Sequence, residues 1–168
     1  FLRCAVDIST IDVDAASGRG ILVARADTSY VASTAELALG LYLDCARSIS
    51  SSTLDYRAGE MPPQRPGFQV AGKTAGIIGF GAIGSYLARL LDALGLTVLV
   101  HDPFVESAAG FSRVELNELL AGSDVVFPLA PGDRDDTRGL IDTAALERMR
   151  PGSTLVNVSR GELLGESA

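Results

Sequence analysis

The hexapeptide Gly79-Phe80-Gly81-Ala82-Ile83-Gly84 has the spacing G-x-G-x-x-G, and each glycine has its own mechanical use. The first permits a tight turn, the second lets the backbone approach a diphosphate, and the third lets a helix pack closely on a strand. Backbone N–H groups at the start of the following helix then face the phosphates, with the positive end of the helix dipole behind them. Asp102 stands 18 residues beyond Gly84, at the end of a second apolar run, near where a carboxylate accepts hydrogen bonds from ribose hydroxyls. Such a carboxylate repels a 2′-phosphate, and no arginine occupies the five positions after it. Together these features predict a site for NAD rather than NADP. The plainer alternative for Asp102 is a turn begun with Pro103. His101, the only histidine, reads as a neighbour of the adenine or a packed strand end rather than as a catalytic base.

A second polar group follows the last predicted strand, in Asn157-Val158-Ser159-Arg160-Gly161-Glu162. Open α/β sheets bind ligands outside the carboxyl ends of their strands, which is where these residues fall. Arg160 carries a planar fork of donors that matches a carboxylate in two hydrogen bonds. Taken by itself, Arg160 is equally suited to a surface ion pair. Cys4 and Cys45 lack the spacing of a metal site or a disulfide framework, so no metal is expected and both thiols read as reduced and cytoplasmic.

These residues need elements that place them. Strand patterns at residues 2–6 and 21–24 flank a short helix with an acidic start at Asp12. Ser33 and Glu36 have capping-box spacing ahead of an apolar helix running to Arg47. Residues 48–72 collect serines, prolines and glycines and read as a loop or linker. After Lys73 strands and helices alternate: strand 74–79, helix 83–94, strand 96–100, helix 116–121, strand 125–127, a helix from Asp142 to Met149, and strand 154–158. That alternation predicts a doubly wound parallel sheet, a Rossmann-like α/β domain of which four strands are present and the rest missing.

The 168 residues are 47% hydrophobic and 21% charged, with mean hydropathy +0.26, enough apolar material for a sizeable core. A net charge of −7, a pI near 4.6 and a single lysine argue against nucleic acid or an anionic membrane surface as partner. The longest uncharged apolar stretch, residues 75–88, is shorter than a membrane span. Phe1 in place of Met and an end soon after a strand read as a fragment of a longer protein.

Taken together, the glycine loop, the run Ser33-Thr34-Ala35-Glu36-Leu37-Ala38-Leu39-Gly40, and the stretch from Gly139 through Pro151-Gly152 to Asn157-Val158-Ser159-Arg160-Gly161 resemble the D-isomer-specific 2-hydroxyacid dehydrogenases. The resemblance implies an NAD-dependent oxidoreductase acting on a small 2-hydroxy or 2-oxo acid. Residues 1–32 would then end a smaller, flavodoxin-like substrate domain, residues 33–72 form an interdomain helix and linker, and residues 73–168 form a truncated NAD-binding domain. Gly79, Gly81, Ala82, Ile83 and Gly84 would hold the pyrophosphate and Asp102 the ribose. Ala130, Pro131, Val158 and Ser159 would line the nicotinamide side, and Thr137 would be the cofactor-binding threonine that follows the proline loop, with one extra residue between it and Pro131. Arg160 would be the catalytic residue that orients the substrate carboxylate and polarises its carbonyl, with Ala5 and Val6 also on the substrate side.

The resemblance further implies a homodimer, and a histidine and glutamate downstream of the Arg-Gly pair that move the hydroxyl proton. A fragment without them is not expected to catalyse. Several residues depart from the family pattern: Ala5 and Asp7 stand where glycines are usual, Ala82 where arginine is frequent, and Leu129 where many members have histidine. Arg25 and Asp27 replace a usual asparagine and proline. They read as marks of a divergent subgroup. A corepressor-like module that senses NAD without turnover is the alternative of a different class. An adenosylhomocysteinase-like domain is the other, and the Asn157 to Gly161 signature speaks against it.

Overall fold

The computed structural model describes residues 1–3, 8, 10–27, 29–131 and 136–165. Cys4, Ala5, Val6 and Asp7 lie outside the described residues, so only the start of the first predicted strand is seen, as β1 (Leu2–Arg3). Asp12 caps helix α1 (Val13–Gly18) by accepting the Ala15 N–H at 2.8 Å. The strand expected at residues 21–24 is displaced to β2 (Ala24–Arg25), which pairs in parallel with β1. Ile21 stays with the helix end, its N–H donating to Ala16 O at 3.0 Å.

Helix α2 (Val31–Arg47) starts two residues before the predicted capping box, and its N-cap Tyr30 makes no side-chain capping bond. Ser33 therefore sits inside the first turn. The helix ends at Arg47 as its periodicity predicts, and it buries Ala35, Ala38, Tyr42 and Ala46. Burial of the Tyr42 hydroxyl, with the Asp124 charge adding to it, pushes its pKa up to about 12.

The larger departure is α3 (Ile49–Arg57), a helix inside the stretch that reads as linker. Its serines are poor helix formers, but the preceding helix supplies a cap. Asp44 Oδ1 accepts the Ser50 N–H at 2.7 Å, and its other oxygen accepts the Ser50 hydroxyl. These bonds, the hydroxyl's first, hold the Asp44 carboxyl below its ordinary pKa of 3.8. A lowered pKa contributes stability that is complete above 3.8 and is lost as pH falls through the folded value. Asp44→Asn is therefore expected to melt earlier than the parent at pH 7, with the gap narrowing as pH drops below 3.8. Circular-dichroism melts across that range check this, and a gap independent of pH would contradict it.

Strands β3 (Thr74–Ile78), β4 (Thr97–His101), β5 (Ser112–Arg113), β6 (Val125–Pro128) and β7 (Thr154–Leu155) form one sheet in the order β5-β4-β3-β6-β7. Every pairing is parallel. The connections run through α4 (Ala82–Ala93), α5 (Leu116–Gly122) and α6 (Thr143–Arg148). Asp142 caps α6 by accepting the Ala145 N–H at 2.8 Å. The sheet has one strand more than the four predicted, because β5 has only two residues and both are exposed polar ones, which leaves no apolar signal. Strand β7 is shorter than the predicted 154–158, its last donated sheet bond being Val156 N–H on Val126 O at 2.9 Å.

Side chains alternate across the sheet, so both faces must be covered. Ala75, Ile77, Val98, Val100, Val125 and Phe127 pack under α2 and α4, whereas Ile78 and Val126 pack under α5 and α6. The order reverses at the β3/β6 neighbours, the topological switch point where such sheets open a crevice.

Candidate functional site

The crevice opens at Gly79. Its φ of +96° is one that side-chain-bearing residues rarely adopt, and a Cβ there would lie 2.8 Å from Ala130 N. The turn after β3 and the chain after β6 are thus in backbone contact. Gly84 closes the other side, because a Cβ on it would stand 2.2 Å from Gly79 O. Gly81 is different: a Cβ there would meet nothing within 4 Å. It is the N-cap of α4 and makes no side-chain capping bond. The first helical bond runs from Ser85 N–H to Gly81 O at 2.9 Å, which leaves the Ala82, Ile83 and Gly84 amides ahead of the hydrogen-bonded ladder.

Asp102, the first residue after β4, reaches across to this turn. Its Oδ2 accepts the Phe80 N–H at 2.7 Å, and its Oδ1 accepts the Phe104 N–H at 2.8 Å. The residue therefore does begin a turn, as the plainer reading held, and it also ties that turn to the glycine loop. A carboxylate has about four acceptor positions, so two amides leave room for ribose hydroxyls. Arg113, beyond the five positions considered in the sequence, is brought back by β5, and its Nε donates to the Asp102 carbonyl at 3.3 Å.

Asp102 forms one wall of a cavity of about 390 Å³, within the about 300–1,000 Å³ usual for small-ligand sites. Gly79, Gly81, Ala130, Pro131 and Thr137 line it. His101 lies in the same wall, with Nδ1 3.1 Å from Val114 O. A carbonyl only accepts, so Nδ1 is the donor in this contact. Phe104, Val105 and Leu140 complete the apolar lining and were not singled out from the sequence. Their apolar character was visible, but nothing local distinguished them from core residues.

The remaining predicted residues gather at the ends of β6 and β7. Ser159 Oγ donates to Ala130 O at 3.0 Å, and the buried Thr137 hydroxyl donates to Pro131 O. Two neighbouring carbonyls are thus held by hydroxyls, one from later in the same β6–α6 connection and one from the chain after β7. Val158 is half-buried. Arg160 is exposed, and its Nη1 donates to Ser159 O at 3.2 Å. Ala82, Ile83, Gly84, Val158, Ser159 and Arg160 do not line the cavity beside Asp102. Among the described residues no group of three or more His, Cys, Asp or Glu could hold a metal ion. No helix among them is long and apolar enough to cross a membrane.

A parallel doubly wound sheet whose glycine turn, helix N-terminus and carboxylate converge at the switch point defines a dinucleotide-binding domain. The open side of Gly81 and the amides at the head of α4 fit a diphosphate, and the adjoining cavity fits a nucleoside-sized group. Residues 39–168 match the D-isomer specific 2-hydroxyacid dehydrogenase, NAD binding domain family. The chain belongs to that family.

A D-3-phosphoglycerate dehydrogenase of Mycobacterium tuberculosis is 38% identical over 173 residues, covering 99% of this chain and 32% of that protein. A hydroxypyruvate reductase of Thermotoga maritima is 33% identical over 168 residues, covering 99% and 55% respectively. Among solved structures, the apo D-lactate dehydrogenase of Escherichia coli matches with a TM-score of 0.86 at 33% identity, covering 96% of this chain and 52% of that one. The chain thus spans about a third of the first of these relatives and about half of the other two.

Proposed function

We propose that this chain is the coenzyme-binding part of an oxidoreductase that passes a hydride between NAD and a small D-2-hydroxy acid or its 2-oxo partner. The observation that carries the reading is the cavity shared by the Gly79-Phe80-Gly81 turn and Asp102, directly ahead of the first residue of α4, in a chain of the dehydrogenase family. In this reading the Ala82 and Ile83 amides hold the diphosphate, with Gly79, Gly81 and Gly84 keeping the approach clear. Asp102 takes the ribose hydroxyls, and Ala130, Pro131, Thr137, Val158 and Ser159 flank the nicotinamide. The coenzyme, when bound, donates or accepts the hydride. Arg160 holds the substrate carboxylate through paired N–H···O bonds and draws electron density from the neighbouring carbonyl.

Residues 1–32 then belong to a substrate domain, residues 33–72 to the interdomain helix and linker, and residues 73–168 to the NAD domain. The relatives named above are dehydrogenases and reductases, which favours turnover over the corepressor-like role. A homodimer is part of the same proposal, supported by the exposed apolar Leu37 and Leu41 on α2. A cytoplasmic setting is part of it too, on the reading of the two cysteines as reduced thiols.

Calorimetric titration of the full-length protein tests the coenzyme assignment. NAD is expected to bind more tightly than NADP. Asp102→Ala is expected to weaken NAD about 10- to 100-fold, because it removes charge-assisted acceptors and releases the Phe80 amide. Preference for NADP in the parent protein, or unchanged NAD affinity in the variant, would overturn the assignment. Oxidation of NADH with a panel of 2-oxo acids then reads the substrate class.

A further inference from the structure

Between β7 and the 3-10 turn Gly161–Leu163 the backbone runs without regular pairing. The sheet bonds end with Val156 N–H on Val126 O at 2.9 Å. Among the described residues, the next backbone-to-backbone donor along the chain is Leu163, on Arg160 O at 3.3 Å. The four residues from Asn157 to Arg160 are instead folded by one side chain. Asn157 Oδ1 accepts the Ser159 N–H at 2.9 Å, and Asn157 Nδ2 donates to Arg160 O at 2.8 Å. Both halves of the carboxamide are engaged, one on the residue before the arginine and one on the arginine itself. Ser159 Oγ fastens the same turn to Ala130 O at 3.0 Å, across the crevice from the glycine loop.

We propose that Asn157 is a positioning residue for Arg160, fixing the backbone from which the guanidinium meets the substrate carboxylate. The inference rests on the reading of Arg160 as the carboxylate ligand. Its physical basis is leverage. The guanidinium sits at the end of a long flexible side chain, so a backbone rotation of about 10–20° displaces it by more than the about 0.5 Å that a functional constellation tolerates. A misplacement of about 1 Å is enough to lower a rate on the order of 100-fold. Asparagine suits the position because its short amide carries a donor and an acceptor together. Aspartate keeps the acceptor for Ser159 N–H but has no proton for the Arg160 carbonyl. Alanine has neither.

The test is a double-mutant cycle in the full-length protein, with Asn157→Ala, Arg160→Ala and the double variant. Each is assayed for kcat/KM with a 2-oxo acid and titrated with NAD. Asn157→Ala is expected to lower kcat/KM about 10- to 100-fold while NAD affinity changes less than about twofold. The double variant is expected to match Arg160→Ala alone, since a residue acting through the arginine has nothing left to position. Additive losses, or a fall in NAD affinity as large as the fall in kcat/KM, overturn the positioning role and leave the Arg160 reading intact. An Arg160→Ala variant with parental kcat/KM overturns both. Should Asn157→Ala fail to fold, Asn157→Asp retains the Ser159 contact and takes its place in the cycle, with the same outcomes.

Discussion

Replacing Gly84 with alanine is expected to weaken NAD binding on the order of 100- to 10,000-fold and to lower the melting temperature of the full-length protein. The new Cβ would stand 2.2 Å from Gly79 O, 3.2 Å from Gly79 C and 3.3 Å from Ile77 Cγ2. Two of these neighbours are backbone atoms and cannot swing aside, so the head of α4 must lift off β3. Overpacking of this kind costs about 1–3 kcal/mol. The larger effect falls on the ligand. The amides of Ala82 and Ile83 belong to the turn that moves, and hydrogen bonds to charged groups contribute about 1.5–3 kcal/mol each. Loss of two of them weakens NAD on the order of 100- to 10,000-fold. Gly81→Ala is the informative contrast, since its Cβ meets no atom within 4 Å. It is expected to leave the melting temperature nearly unchanged, so any affinity it loses reports on the ligand rather than on the fold. Differential scanning calorimetry and isothermal titration separate the two quantities. Parental affinity in Gly84→Ala would show that the helix head does not carry the diphosphate.

The second large effect is expected from Arg160→Ala. A guanidinium that grips a carboxylate makes two parallel charge-assisted bonds, and an alanine returns neither. At about 1.5–3 kcal/mol per bond, kcat/KM for a 2-oxo acid is expected to fall on the order of 100- to 10,000-fold. NAD affinity is expected to change little, because Arg160 is exposed and lies outside the cavity beside Asp102. Arg160→Lys is expected to recover only part of the loss, since an ammonium is a point charge without the planar fork. Steady-state rates with the acid varied and coenzyme saturating give this comparison directly. Equal losses of NAD affinity and of kcat/KM would instead make Arg160 a structural residue.

Much of the framework is legible in the chain because its causes are local. The βαβ unit from Thr74 to His101 announces itself through apolar runs of strand and helix period, and the structure shifts its predicted limits by at most one residue. The capped start of α6 is equally local, one aspartate meeting an amide three residues on. Failures arise where the signal is weak or arrives from elsewhere. Strand β5 has two polar residues and no periodicity to read. Helix α3 depends on Asp44, six residues before the serine that it caps, so a composition window centred on the serines sees only a linker. The capping box at Ser33 has the right spacing, yet α2 begins at Val31 and leaves that serine inside the helix.

The glycine hexapeptide, the alternating strands and helices, and the acid after the second strand of that unit were determined by the amino-acid order alone. They follow from φ preferences, side-chain periodicity and spacing, all of which act within a few residues. What depended on the folded chain is which distant groups meet: Phe80 with Asp102, Arg113 with the Asp102 carbonyl, and Ala130 with both Gly79 and Ser159. Those meetings exist because the strand order reverses between β3 and β6 and sets the ends of β3, β4, β6 and β7 along one edge. Strand order is decided by how both apolar faces of the sheet are covered at once, a property of the whole packed domain that no short window of sequence contains.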